Sequence, residues 1–283
     1  MHKLRSLLVL LAAVGLLAPV DAQQFRQVPP YRILVTNDDG VRAPGIAAVA
    51  QALQAIGTPI IVAPVENQTG KGHSIITSET VFRENLTLPN GLPAIGLTAT
   101  PASVVNIAVR NIVAPRPDLV VSGVNTEYNL GLSTQVSGTV GAAREAARHG
   151  IPAIAVSMAG AVFPKELVFA AEEAVWVARR VKQWGLPPRT FLNVNVPPMP
   201  AGGYKGYRIT RQGQVRTGTE SFVEIKHPSG RTVYWNVYSE RKSEPQPEGT
   251  DFWAVDNGWV SVTPMKIDET DPTQFETLEQ IFK

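Results

Sequence analysis

Short apolar runs alternate with stretches of helical spacing from residue 31 to about residue 198. Runs at 33–35, 60–62, 119–121, 153–156 and 191–196 are bounded by polar, Gly/Asn-containing loops and read as buried strands. Between them, segments 46–56, 101–111, 138–149 and 165–184 carry apolar residues at helical spacing. The last is the clearest: Leu167, Val168, Ala171, Ala174, Val175, Ala178 and Val181 form one stripe, and Gly185 before Pro187-Pro188 ends it. Strands alternating with helices predict an α/β fold with a mostly parallel sheet and helices on both faces. Beyond Pro198 the pattern changes to alternation at 207–210, 217–225 and 233–237, with a turn at His227-Pro228-Ser229-Gly230. That is the signature of a C-terminal antiparallel hairpin excursion. Residues 240–248 read as a polar loop and 259–263 as a further strand. Asp271-Pro272 makes a good N-cap and first position for a terminal helix. The hairpin is either a lid or edge of one subunit, or an arm that grips a second; composition does not choose.

The chemistry concentrates where strands end. Arg32-Ile33-Leu34-Val35 runs into Asn37-Asp38-Asp39-Gly40, and Ala43-Pro44-Gly45-Ile46 then opens a helix. Adjacent carboxylates repel, so a fold that holds both at a strand end normally supplies a cation. Ligands of open α/β sheets also bind at the carboxyl ends of the strands. The alternative, a two-residue Asp-Gly hairpin turn, conflicts with the helical spacing of the segment that follows.

Three further loops face the same end of the predicted sheet. The second strand leads into Glu66-Asn67-Gln68-Thr69-Gly70-Lys71-Gly72-His73-Ser74, and the third into Ser122-Gly123-Val124-Asn125 with Asn129 beyond. Ser137-Gly138-Thr139 opens a helix, and helix N-termini bind phosphate through free N–H groups. Carboxylate, amide and hydroxyl oxygens together suit a hard divalent cation. Each element also has a plainer reading. Ser137 caps its helix, Asn125 and Asn129 hold turns, and His73 is a surface loop histidine. Gly70-Lys71-Gly72 is not a P-loop, because the required spacing of glycines is missing.

Composition narrows the field. The 283 residues are 44% hydrophobic and 18% charged, enough for one sizeable core. Net charge is +2 with no basic run, which leaves nucleic-acid binding without an electrostatic footprint. The absence of cysteine excludes disulfides, thiolate catalysis and zinc–thiolate sites, leaving oxygen ligands and four histidines. At the N-terminus, His2-Lys3-Leu4-Arg5 precedes an apolar stretch over 7–20 and the small-residue site Val20-Asp21-Ala22. Residues 1–22 therefore read as a cleavable signal peptide, with Gln23 as the mature start and a periplasmic or secreted product. The stretch is short for an uncleaved membrane anchor, and no cysteine is available for a lipid anchor.

Taken in order, these motifs resemble the SurE (survival protein E) nucleotidase family, over Arg32 to the region of Pro264. The resemblance rests on Ile33-Leu34-Val35-Thr36-Asn37-Asp38-Asp39-Gly40, Val62-Ala63-Pro64, and Thr69-Gly70 through His73-Ser74-Ile75. Thr100-Pro101-Ala102, Arg116-Pro117-Asp118-Leu119-Val120-Val121-Ser122-Gly123-Val124-Asn125 and Ser137-Gly138-Thr139-Val140-Gly141-Ala142-Ala143 extend it. Gly150-Ile151-Pro152-Ala153, Thr250-Asp251 and Val260-Ser261-Val262-Thr263-Pro264 complete it. It implies a Rossmann-like three-layer core over about 31–198, within a single domain of 31–283 whose hairpin and C-terminal segment build a homodimer or homotetramer. It implies a divalent-metal (Mg²⁺ or Mn²⁺) phosphatase of nucleoside 5′- and 3′-monophosphates, with Asp38 and Asp39 catalytic. By the same resemblance Asp38, Asp39, Thr69 and Asn125 would hold the metal. Asn125, Asn129, Ser137, Gly138 and Thr139 would contact phosphate, and His73 is a candidate proton donor to the leaving nucleoside.

The chain departs from the family pattern at four positions: Thr69 stands for a usual serine, Glu127 for glycine, Ser103 for aspartate and Val136 for tyrosine. These changes bear on substrate preference. Two rival readings accompany the enzyme: a non-catalytic periplasmic nucleotide- or phosphate-binding protein, and a metal-dependent glycosyltransferase-like enzyme. The latter lacks an Asp-x-Asp motif in the core.

Overall fold

The computed structural model describes residues 30–161, 164–198, 203–240 and 244–283; residues 1–22, read above as a signal peptide, lie outside the described residues. The chain runs β1 (Arg32–Thr36), α1 (Pro44–Leu53), β2 (Thr58–Pro64), β3 (Arg83–Thr87), β4 (Pro93–Leu97), α2 (Pro101–Ile107), β5 (Leu119–Asn125), α3 (Gly138–Arg148) and β6 (Ala153–Ser157). It continues through α4 (Pro164–Trp184), β7 (Thr190–Asn195), β8 (Tyr207–Ile209), β9 (Gly218–Lys226), β10 (Thr232–Glu240), α5 (Asp251–Asp256), β11 (Val260–Lys266) and α6 (Phe275–Ile281).

Nine strands form one sheet in the order β3-β4-β2-β1-β5-β6-β7-β11-β8. The inner six, from β4 to β7, are parallel, while β3 and β11 run antiparallel to β4 and β7. The five apolar runs of the sequence supply β1, β2, β5, β6 and β7, and their near-continuous burial follows from helices on both faces. Along β1 the residues alternate between two cores. Ile33 and Val35 pack with α1 and α4, and Leu34 with α2 and α3. The three-layer, mostly parallel expectation therefore holds.

Strands β3 and β4 and helix α5 were not foreseen. Arg83–Thr87 is an edge strand whose residues are exposed or half-buried, so it lacks the apolar run that marks its neighbours. The boundary near 198 is not a boundary of the sheet, since β8 and β11 extend it beyond β7. The hairpin is real: β9 and β10 pair antiparallel in a sheet of their own, in register from Gly218↔Glu240 to Lys226↔Thr232. The terminal helix begins with a 3₁₀ turn at Pro272–Gln274, where Asp271 Oδ1 accepts from the Thr273 N–H.

Topology places the site. From β1 the chain builds outward through β2 and β4, then crosses to the opposite side of β1 to lay down β5. The crevice between the ends of β1 and β5 is the switch point at which such sheets bind ligands.

Candidate active site

The loop after β1 carries Asp38 into that crevice. The Asn37 amide donates to the Gly40 carbonyl at 2.9 Å, and the Gln68 N–H to the Asp38 carbonyl at 2.7 Å. Asp38 is 3% exposed, and its Oδ1 accepts from the Thr139 hydroxyl at 2.5 Å. The α3 terminus reaches it because residue 138 is glycine. A Cβ there would lie 2.7 Å from Asp38 Cβ and 2.9 Å from Oδ2. Burial pushes the Asp38 carboxyl up, against the lowering effect of the Thr139 hydroxyl and N–H. Asp39 is pushed up to about 7, chiefly by burial and then by the charges of Asp38 and Glu127.

A cavity of about 340 Å³ opens over Asp38. Thr69, Asn125, Asn129 and Ser137 line it, as the sequence reading requires. Asn125 ends β5 and spends an amide hydrogen on the Glu127 carbonyl at 2.8 Å. Asn129 is fixed more heavily: its amide donates to Ser157 Oγ at 2.8 Å, and its carbonyl accepts from Asn193 at 2.7 Å and Asn195 at 3.0 Å. Ser137 accepts from the Val140 N–H at 3.1 Å and so caps α3 while facing the cavity.

Three expected substrate contacts sit elsewhere. Gly138 and Thr139 do not line the cavity; they lie behind Asp38, which takes up this helix end. His73 is turned away, its Nε2 2.8 Å from Glu145 Oε2 within α3. The ring is not among the residues that line the cavity. Asp39 is half-buried beside the cavity rather than on its surface.

The structure also brings in residues that the motifs did not mark. Ser133, Arg216, Thr217, Glu220 and Tyr238 reach the cavity from the 3₁₀ turn at Gly131–Gln135 and from the base of the hairpin. Arg216 is the one cation among the described lining residues, and it pairs with Glu220 at 3.2 Å. A single arginine at a hairpin root gives little signal in sequence. Of the departures from the family pattern, Glu127 and Val136 line the cavity, while Ser103 does not. Ser103 Oγ instead accepts from the Ile76 N–H at 2.7 Å, tying the Thr69 loop to α2.

The donor set fits a hard divalent cation. Asp39 Oδ2 and Asn37 Oδ1 are sealed from solvent without a hydrogen-bond partner, and burial raises both acids. Among the described residues no group of three or more His, Asp or Glu side chains could hold a metal, and the other oxygen-bearing side chains lining the cavity with Asp38 include Thr69 and Asn125.

A mostly parallel α/β sheet with acids and amide oxygens at its switch point defines a Rossmann-like protein with an acceptor-rich site at its strand ends. Sequence comparison narrows the class. The family described as "Survival protein SurE" matches residues 33–219. A protein of Syntrophotalea carbinolica named 5′-nucleotidase SurE is 42% identical over 249 residues, 88% of this chain and 96% of that protein. The 5′-nucleotidase SurE of Geobacter sulfurreducens is 42% identical over 248 residues, covering 87% and 92%. The crystal structure of the SurE protein from Aquifex aeolicus superposes with a TM-score of 0.74 at 36% identity, over 89% of this chain and all of that one. The chain belongs to the SurE family.

Proposed function

We propose that the chain is a divalent-metal-dependent phosphomonoesterase that hydrolyses nucleoside 5′- and 3′-monophosphates to nucleoside and phosphate. The observation that carries the proposal is buried Asp38 in an oxygen-lined cavity, with Asp39 beside it and one Asp39 oxygen sealed without a hydrogen-bond partner. The relatives named 5′-nucleotidase support the substrate class. Asp38, Asp39, Thr69 and Asn125 would hold Mg²⁺ or Mn²⁺, which when bound supplies Lewis acidity toward the phosphoryl group and a more acidic water.

The chain's own residues do the positioning. The Thr139 hydroxyl and the α3 end hold Asp38 in one orientation. Ser137 offers its hydroxyl, and Arg216 a positive charge, to the phosphoryl oxygens as negative charge builds on them. Asn125 and Asn129, anchored at 2.8 Å to a carbonyl and a serine respectively, cost little reorganisation during the reaction.

Phosphate release from a panel of 5′- and 3′-monophosphates, after chelation and add-back of Mn²⁺ or Mg²⁺, tests the reading. Turnover that appears only with the metal is expected. Nucleotide binding with no release under any metal would replace it with the binding-protein reading.

Export and assembly are part of the proposal. A periplasmic product starting at Gln23 is supported by the basic head and short apolar stretch, and intact Met1 on cytoplasmic protein would overturn it. Among the described residues, no helix is long and apolar enough to cross a membrane. A homodimer or homotetramer built through the hairpin is supported by Phe222, Tyr234 and Trp235, which are 63%, 67% and 65% exposed. Helix α6 likewise buries none of its residues. Light scattering should show at least a dimer that weakens on deletion of residues 217–239; a full-length monomer at micromolar concentration would refute the arm.

A further inference from the structure

A second cavity, of about 390 Å³, adjoins the first, and Glu127, Tyr128, Thr217 and Tyr238 line both. A phosphate ester whose phosphoryl group meets Asp38 and Ser137 has this shared wall within reach of its organic part. The second cavity adds Phe252, so aromatic side chains stand beside the Glu127 carboxylate. That is the chemistry of a nucleobase site: a face to stack on and an edge to read. The Tyr238 ring lies against Gly218, within 2.3 Å of where a Cβ would stand. The Tyr128 hydroxyl is sealed from solvent with no hydrogen-bond partner.

We infer that this second cavity is the nucleoside subsite of the proposed phosphomonoesterase, on which reading it rests, and that Glu127 makes it prefer guanine. The Glu127 side chain is exposed on the loop after β5, and no ion pair engages it among the described residues. Its backbone is anchored by the Asn125 amide at 2.8 Å, which defines where the side chain starts. An ionised carboxylate offers two acceptors and no donor. Guanine alone among the common bases presents two adjacent donors, the N1–H and the 2-amino group, for a bidentate match. Adenine and cytosine present one amine beside a ring acceptor. The uracil N3–H is flanked by two carbonyl oxygens that would face the negative charge. The preference runs guanine, then adenine and cytosine, then uracil.

Calorimetric titration of guanosine and uridine into the full-length protein tests the subsite without catalysis. Guanosine should bind about tenfold tighter than uridine, the scale on which a charged hydrogen bond discriminates. Glu127→Gln, which turns one acceptor into a donor at the same shape, should bring that ratio to about threefold or less, and Tyr238→Ala should weaken both nucleosides. In turnover, the ratio of kcat/KM for guanosine monophosphate to that for ribose 5-phosphate should fall about tenfold in Glu127→Gln. Equal binding of the two nucleosides, or a ratio that Glu127→Gln does not move, would overturn the assignment. Guanosine-selective binding without phosphate release from any ester would leave the subsite standing and remove the phosphatase reading. Hydrolysis without base discrimination would do the reverse.

Discussion

Helix α3 meets a buried acid at each end, and the two environments are opposites. Near its N-terminus lies Asp38, 3% exposed, with Asp39 beside it; within its last turns is Glu145, 2% exposed. Burial pushes all three carboxyls upward, yet only the first two end above their ordinary range. Glu145 has His73 Nε2 at 2.8 Å, Arg148 Nη1 at 2.9 Å and His149 Nε2 at 3.3 Å, and the His73 bond and Arg148 charge outweigh its desolvation. Asp38 has one hydroxyl and the helix end, and Asp39 has an oxygen with no partner. Asp38 and Glu145 are equally buried but unequally partnered, and that separates the two centres. A carboxylate that the protein satisfies fully is structural, and one left short of positive charge awaits a ligand.

Substitutions test the division, and the largest effect should come from Asp38→Asn. It keeps the shape and should keep the fold, while hydrolysis drops about a hundredfold or more, equivalent to about 2.7 kcal/mol of transition-state stabilisation. Raised Mn²⁺ should restore part of it. A folded variant with full, chelator-resistant activity would remove the functional half of the comparison. Glu145→Ala should do the converse, costing about 2 kcal/mol in denaturant unfolding while the folded fraction stays active. Loss of turnover at unchanged stability would place Glu145 in the catalytic centre after all.

Metal should separate the centres again. At about ten times its Kd, Mn²⁺ should stabilise the protein by about 1.4 kcal/mol, in wild type and Glu145→Gln alike but much less in Asp38→Asn. Without metal, Asp39→Asn should raise stability by about 1 kcal/mol, since it removes a half-buried charge beside Asp38. A metal-free Asp39→Asn that melts lower than wild type would mean the acid already has a protein partner.

The smallest effect is in pH. Glu145 has a folded-state value below its ordinary 4.5, so the unfolded chain takes up its proton first as pH falls. Its stabilising contribution is therefore complete above about pH 5 and drains away below the unfolded value. Thermal melts of wild type and Glu145→Gln should converge toward acid. A difference independent of pH would show that the His73 and Arg148 contacts are not ionic.

Much of this was legible before any coordinates. Five of the six inner strands and helices α1 to α4 announced themselves because burial on both sheet faces demands apolar runs and helical stripes. Asp38, Thr69, Asn125, Asn129 and Ser137 were legible as loop residues after successive strands, and they do converge on one cavity. Edge strand β3 was not, since an exposed strand leaves no apolar run to read. The roles of Thr139 and His73 were also out of reach. A hydroxyl beside a helix start reads the same whether it faces a substrate or turns 2.5 Å toward Asp38.

By itself, then, the sequence determined the layers, the strand-end loops and the kinds of atom gathered there, because local spacing and residue chemistry are properties of neighbours along the chain. Only the tertiary structure decided which acid is paired and which is not. His73 meets Glu145 across 72 residues and Thr139 meets Asp38 across 101, while Arg216 enters the cavity from the root of the hairpin. Contacts of that range depend on how the sheet orders its strands, and strand order is not written in the spacing of any one segment.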